Sequence, residues 1–286
     1  MIPAAFGYQR PASLEEALGI IGSDPGAKIL AGGQSLLPLL KLRLGSADTL
    51  VDIGRLPELK GVRQLDDGRL AIGAMTTYAE LLDSPAQQYG LLRDALPNIG
   101  DVQVRNRGTI GGSIAHADPA SDLPACLLAL DAELVIRSAS GERTAGVDGF
   151  FDGAFSTALG AGEIITEVRL PGPRDDSGSA YASLEQPASG YSMVGVAVVV
   201  FVSGDGRLAG ANVALTGVGE FPYRARAVEA ALGGTDGSPA AIAAAAAHAT
   251  DGVDVNNDIH ADRAYRTAMA AVYTRRAIEA ALARSG

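Results

Sequence analysis

The sequence is poor in the residues that usually hold metals and disulfides. It contains a single cysteine, Cys126, and three histidines, His116, His248 and His260. One cysteine cannot close an internal disulfide, and it cannot supply the ligands of a zinc or iron–sulfur site alone. The histidines also lack the spacing of a metal site, so we expect no metal site here and place any metal chemistry on another chain.

Positive charge is also scarce. The chain has 23 Lys and Arg residues against 33 Asp and Glu residues, a formal net charge of −10 at pH 7. An acidic surface of this kind repels phosphate backbones, so nucleic acid is not an expected partner. The longest apolar runs, such as Met193–Val202, are too short to span a bilayer, and Met1–Arg10 does not resemble a signal peptide. We therefore expect a cytoplasmic protein without a direct membrane span.

The 286 residues, 47% of them hydrophobic, suffice for one large domain or two modest ones. A capping box at Ser13–Glu16 predicts a first helix. Further along, Lys28–Leu30 is typical of a strand that runs through a glycine turn, Ala31–Ser35, into a helix at Leu36–Leu42. The remaining predicted elements of this stretch are strands at Thr49–Ile53 and Arg69–Ala74 and helices at Thr77–Leu82 and Tyr89–Leu96.

A second glycine turn, Gly108–Ser113, follows the alternating stretch Val102–Arg105, which we interpret as a strand. A helix at Ser121–Leu130 comes next, so the two halves repeat one arrangement of strand, glycine turn and helix. Two more strands are predicted, at Glu133–Arg137 and Ile164–Leu170.

The sequence pattern changes after Pro171–Ser179, which we interpret as a linker. This change predicts one domain over residues 1–174 and another over residues 178–286. Met193–Val202 and Leu208–Leu215 flank a hairpin signal at Gly204–Gly206 and predict antiparallel strands. Three helices should follow, at Ala225–Leu232, Pro239–Thr250 and Ala261–Ala283. The overall prediction is an α+β fold.

Glycine-rich turns let backbone amides approach an anionic cofactor closely. One such turn is a weak signal, but two of the same kind, each flanked by Ser or Thr hydroxyls, favour a cofactor site. No P-loop sequence occurs, and the loose dinucleotide match at residues 204–209 lies in a predicted hairpin rather than between strand and helix.

Three motifs carry a specific resemblance: Ala31–Pro38, Arg105–Ser113 and His116–Pro124. They resemble the FAD-binding medium subunit of molybdenum hydroxylases, the family of xanthine dehydrogenase and carbon monoxide dehydrogenase, and the likeness covers essentially the whole chain. It implies a two-part N-terminal FAD-binding domain like that of vanillyl-alcohol oxidase, followed by a C-terminal domain of an antiparallel sheet with helices. The chain would carry electrons on FAD. An iron–sulfur small subunit would hold 2Fe–2S clusters and a large subunit the molybdopterin cofactor, in a dimer of heterotrimers.

The resemblance also implies the cofactor contacts. Residues 29–35 and 109–113 would wrap the pyrophosphate and ribityl chain. The carboxylate of Asp122 would contact the cofactor, Ile165 would lie near it, and Tyr191 would lie beside the ring. The predicted residues are Ile29, Leu30, Ala31, Gly32, Gly33, Gln34, Ser35, Thr109, Ile110, Gly111, Gly112, Ser113, Asp122, Ile165 and Tyr191. No catalytic residue is predicted in this chain.

Two positions depart from the family pattern. Gln34 stands where carbon monoxide enzymes often have histidine, and Ser183 where the family commonly has lysine. Taken alone, Asp122 is equally typical of a helix cap, and His116 of a hydrogen-bonded loop histidine.

Two other functions remain open at this point. A stand-alone flavin oxidoreductase, related to the reductase that makes UDP-N-acetylmuramic acid, would need a positioned proton donor that the sequence does not reveal. A cofactor-free assembly module would not need both glycine turns intact. The substrate (carbon monoxide, an N-heterocycle or an aldehyde) and the electron acceptor (NAD, a quinone or oxygen) also remain open.

Overall fold

The computed structural model describes residues 1–285. The chain begins with two helices and a three-stranded parallel sheet, in which the third strand lies between the first two. Ser13 caps the first helix as predicted, whereas the Glu16 carboxylate accepts from the Ala12 amide rather than from Ser13. The elements are β1 (Gly7–Gln9), α1 (Leu14–Ser23), β2 (Ala27–Leu30), α2 (Leu36–Leu42) and β3 (Thr49–Asp52).

A five-stranded antiparallel sheet with helices packed against it completes the N-terminal region. The last of its five strands in the sequence inserts between the second and the third. The elements in chain order are β4 (Val62–Gln64), β5 (Leu70–Gly73), α3 (Tyr78–Leu82), α4 (Gly90–Ala95), α5 (Val102–Arg105), α6 (Ile110–His116), α7 (Asp122–Ala129), β6 (Glu133–Ser138), β7 (Gly141–Gly146), β8 (Phe151–Gly153), β9 (Ser156–Thr157) and β10 (Ile164–Leu170), with short 3₁₀ helices at Pro57–Leu59, Pro85–Gln88 and Leu96–Asn98.

The C-terminal region is an antiparallel sheet followed by three helices. The elements are β11 (Ser177–Glu185), β12 (Ser192–Val202), β13 (Leu208–Thr216), β14 (Tyr223–Arg224), α8 (Arg226–Leu232), α9 (Pro239–Ala246) and α10 (Arg263–Leu282). The α+β organisation expected from the sequence is thereby confirmed. No helix within residues 1–285 has both the length and the apolar character needed to cross a membrane.

Both faces of the C-terminal sheet are buried, which explains the long apolar run of β12. Successive side chains of a strand point to opposite faces. Val194, Val196 and Val198 belong to the core that contains the C-terminal helices. Ala197 and Val199 pack instead into the core of the N-terminal region. The sheet therefore lies between its own helices and the N-terminal region.

The predicted strand at Val102–Arg105 is wrong. This segment is the short helix α5, because Asp101 caps it by accepting from the Val104 amide at 2.8 Å. The second glycine motif is consequently not a turn after a strand. Gly111 and Gly112 lie in the first turn of α6, whose cap is Thr109.

Element boundaries differ elsewhere by a few residues. Helix α9 ends at Ala246 rather than Thr250. Strand β11 begins at Ser177, inside the segment predicted as a linker, so the irregular connection covers only residues 171–176.

Candidate functional site

The two glycine motifs meet directly in the structure. A β-carbon built on Gly32 would overlap the carbonyl oxygen of Arg107 and would lie 3.0 Å from the Cα atom of Gly108. A β-carbon on Gly112 would lie 3.6 Å from that of Ala31. Two segments that lie far apart in sequence therefore form one side of a shared site, and glycine at position 32 permits their contact.

The first motif presents backbone donors that the protein does not use. Within residues 1–285, the amides of Gly32, Gly33, Gln34 and Ser35 donate no hydrogen bond to another protein group. Gly33 has φ of +76°, a conformation that favours glycine. Neighbouring amides of this kind form an anion-binding concavity.

The second motif uses its amides differently. The Ile110 amide donates to the Thr76 carbonyl at 3.1 Å, and the Gly111 amide donates to the Ala74 carbonyl at 2.9 Å. The Thr109 hydroxyl accepts from the Gly112 amide at 3.2 Å. These contacts hold the start of α6 against the end of β5, so the second motif shapes the site while the first offers the free donors.

A cavity of about 430 Å³ lies beside the two motifs. Thirteen of the fifteen predicted site residues line it. Leu30 does not line the cavity, and the side chain of Ile110 is fully buried in the N-terminal core. The lining members of the prediction are Ile29, Ala31, Gly32, Gly33, Gln34, Ser35, Thr109, Gly111, Gly112, Ser113, Asp122, Ile165 and Tyr191.

Hydroxyl groups and an acidic side chain lie at the junction of α6 and α7. The Ser113 and Ser121 hydroxyls are hydrogen-bonded to each other at 2.8 Å. Asp122 begins α7 and is 8% exposed. Its Oδ1 atom accepts hydrogen bonds from the hydroxyls of Tyr181 and Ser192, both of which come from the C-terminal sheet.

Burial controls the protonation of these groups. Desolvation raises the pKa of Asp122 to about 6, although the two hydroxyl donors oppose that rise. Burial likewise raises the pKa of Tyr78 to about 12, so its hydroxyl keeps its proton. Burial lowers the pKa of His116 from its ordinary value, which favours a neutral imidazole at pH 7.

Tyr191 and His116 place aromatic rings in the lining of the cavity. Tyr191 is 50% exposed. It follows Gly190, whose φ is +73°. The rings of His116 and Phe155 lie 5.1 Å apart between centroids. An aromatic side chain held half in solvent can cover one face of a flat ligand.

Several lining residues were not predicted from the sequence, among them Met75, Tyr78, Ile164 and Ser121. They occur in ordinary core or capping patterns, and only the packing of β5, α3, α7 and β10 places them here. Of the two departures noted above, Gln34 lines the cavity. Ser183 does not, and its hydroxyl donates to Glu185 at 3.3 Å.

The ionisable side chains around the site are few. Within the described part of the chain, no three His, Cys, Asp or Glu side chains are grouped as metal ligands would be. Cys126 is buried inside α7, and burial raises the pKa of its thiol. The cavity instead combines free amides, hydroxyls, one buried carboxyl group and apolar walls, which suits a flat organic cofactor with an anionic part.

Comparison with known proteins identifies relatives of both regions. Residues 4–173 match the family described as the FAD binding domain in molybdopterin dehydrogenase, and residues 179–281 match the CO dehydrogenase flavoprotein C-terminal domain. The chain is 41% identical to the carbon monoxide dehydrogenase medium chain of Hydrogenophaga pseudoflava, with 99% of both chains covered. It is also 41% identical to the glyceraldehyde dehydrogenase medium chain of Sulfolobus acidocaldarius, over 80% of this chain and 81% of that one.

The fold agrees with a solved structure over its full length. Carbon monoxide dehydrogenase from Hydrogenophaga pseudoflava, in a form lacking the Mo-pyranopterin moiety of its cofactor, aligns with a TM-score of 0.94 at 43% identity. The alignment covers 100% of both chains.

Proposed function

Because the chain belongs to the FAD-binding medium subunits of molybdenum hydroxylases, we propose that it takes electrons from iron–sulfur clusters of a partner subunit and passes them to an external acceptor. The observation that carries this proposal is the contact between the two glycine motifs beside a cavity with unused amide donors. That arrangement fits FAD, which joins an anionic pyrophosphate to a flat ring.

The residues fit the parts of the cofactor as follows. The amides of Gly32, Gly33, Gln34 and Ser35 would bind the pyrophosphate, since successive backbone amides form a concavity that binds anions. Among the cavity-lining residues within 1–285, Lys28 is the only lysine or arginine. The backbone therefore has to supply most of the positive potential.

The rest of the cavity suits the sugar chain and the ring. Ser113, Ser121 and Asp122 offer hydroxyl and carboxylate partners for the cofactor hydroxyls. Ile165 gives an apolar wall, and Tyr191 covers the rim, where it would limit access of water and of the acceptor. When bound, FAD supplies a group that exchanges electrons singly or in pairs.

The partners in this proposal are an iron–sulfur small subunit and a molybdenum-containing large subunit, assembled as a dimer of heterotrimers in the cytoplasm. Support comes from the relatives, two of which are named as medium chains of dehydrogenases. Both are 41% identical to this chain, over 99% and 80% of its length, but they are named for different substrates. Sequence identity in this subunit therefore does not specify the substrate of the complex. We place the substrate site on the large subunit.

Native mass spectrometry of the complex captured through a tag on this chain tests the proposal. The expected result is one FAD for each copy of this chain, together with an iron–sulfur chain and a molybdopterin-containing chain. Recovery of the chain alone with FAD and its own substrate oxidation would support a stand-alone oxidoreductase instead. Recovery without FAD would support an assembly module. Cell fractionation tests the cytoplasmic location.

A further inference from the structure

We infer that Tyr181 and Ser192 are positioning residues, through which the C-terminal sheet holds the Asp122 carboxylate in place to bind FAD. This inference rests on the proposed function. Asp122 belongs to the N-terminal region, whereas its two hydrogen-bond donors belong to β11 and to the start of β12. The C-terminal region would thus help to build the cofactor site without contacting the cofactor through these residues.

The hydrogen bonds leave one carboxylate oxygen available. The Tyr181 hydroxyl donates to Oδ1 of Asp122, and the Ser192 hydroxyl donates to the same atom at 2.6 Å. Within residues 1–285, Oδ2 accepts no hydrogen bond from any other residue. Because Asp122 also lines the cavity, Oδ2 is the acceptor left for a hydroxyl or N–H group of the cofactor.

The C-terminal sheet is shaped around this contact. A β-carbon on Gly195 of β12 would overlap the Tyr181 hydroxyl, so glycine there leaves room for the tyrosine to reach Asp122. The Thr216 hydroxyl of β13 contacts the carbonyls of Pro119 and Ser121, at 2.7 and 2.9 Å, which fixes the loop that leads into α7. Both the Tyr181 contact and the Thr216 contacts come from the C-terminal sheet, and both act at the start of α7.

The donors also oppose the effect of burial. Hydrogen bonds to a carboxylate favour its charged form, whereas desolvation disfavours it. The charged form is the stronger acceptor. Other titratable groups face Asp122 or share its cavity, and they stay unchanged in the comparisons below: Lys28, Tyr78, His116, Asp118, Cys126, Glu163, Glu185 and Tyr191.

Titration of the FAD-free full-length chain with FAD, followed by flavin fluorescence from about pH 5 to about pH 9, tests the inference. In the unaltered chain, affinity should fall as the pH drops through about 6, because Asp122 becomes protonated. Tyr181→Phe and Ser192→Ala should each weaken binding at neutral pH by about tenfold. Each should also move the midpoint of the pH profile upward, since the donors that favour the charged form are lost.

Three further variants separate positioning from a general loss of stability. Gly195→Ala keeps both hydroxyls but displaces Tyr181, and it should reproduce the Tyr181→Phe profile. Asp122→Asn should abolish the step near pH 6. The matched control is Tyr223→Phe, which removes a tyrosine hydroxyl that donates to the Ala249 carbonyl in the same region, and it should leave affinity and pH profile unchanged.

The possible outcomes are distinct. If only the complex captured through this chain binds FAD, the same titrations are made on the FAD-depleted complex. If the complex also binds no FAD, the proposed function fails and this inference fails with it. If the unaltered chain binds FAD but Tyr181→Phe and Ser192→Ala keep its affinity and pH profile, the inference alone is overturned. An equal loss in the Tyr223→Phe control would also overturn it, because the effect would then reflect stability.

Discussion

The backbone of Arg107 occupies the space that any side chain at position 32 would need. This contact joins the loop after β2 to the segment before α6, although the two are 75 positions apart in the sequence. It sets the distance between the free amides of the first motif and the hydroxyls of the second. The geometry of the cavity therefore depends on a glycine whose own φ is not in the left-handed region.

Gly32→Ala should weaken FAD binding by at least about tenfold, since the added methyl group must push the two loops apart. The measurement is the FAD content of the purified chain and its FAD dissociation constant. Gly19→Ala is the control, because a β-carbon there meets nothing within 4 Å and the substitution suits the interior of α1. Normal FAD content in Gly32→Ala would contradict the placement of the cofactor.

Gly111→Ala should lower the stability of the chain by about 1–3 kcal/mol, because its β-carbon would lie 2.5 Å from that of Ala74. The free energy of unfolding in urea measures this effect without FAD. Gly146→Ala adds a methyl group in open space on β7 and should cost little. Equal free energies of unfolding for Gly111→Ala and Gly146→Ala would contradict the prediction, because the start of α6 would then accommodate the added methyl group without cost.

The sequence predicts the local structure around the first glycine motif well. The strand, glycine loop and helix around Gly32 and Gly33 follow from short-range patterns, and the structure has β2 and α2 at nearly the predicted bounds. The strand predicted for the four residues of α5 is wrong, because so short an alternation does not distinguish a strand from a helical turn. Only the cap at Asp101 indicates the helix.

The long-range part could not be predicted in this way. Tyr181 lies 59 positions after Asp122, and nothing near either residue indicates their contact. It arises because alternate residues of the C-terminal sheet face the N-terminal core. Predicting this contact from the sequence would require knowing that both faces of the sheet are covered.

Arg224→Met should destabilise the contact between the two regions by about 3 kcal/mol. Its side chain is only 4% exposed and pairs with Asp131 at 2.6 Å and with Glu229 at 2.5 Å. Arg226→Met, at 59% exposure, is the control and should cost less than about 1 kcal/mol. The free energies of unfolding of the two variants are measured in urea. Similar losses would contradict the prediction that Arg224 contributes more stability than Arg226.

Asp122→Asn should stabilise the FAD-free chain at neutral and alkaline pH. Burial raises the pKa of Asp122 from 3.8 to about 6, so the folded state binds the proton more tightly than the unfolded state. Ionised Asp122 therefore costs up to roughly 3 kcal/mol above pH 6, and this cost disappears as the pH falls toward 3.8. Unfolding free energies of the variant and the unaltered chain should differ most at about pH 8. A difference that does not depend on pH would refute this prediction.

The most direct measurement is a density map of the complex that contains this chain, at a resolution that shows the bound nucleotide. The pyrophosphate should lie within hydrogen-bonding distance of the Gly32–Ser35 amides, with the flavin ring beside Tyr191 and a cofactor donor at Oδ2 of Asp122. A nucleotide bound elsewhere on the chain, or a cavity filled by a partner's side chains, would contradict the assignment of this site to FAD.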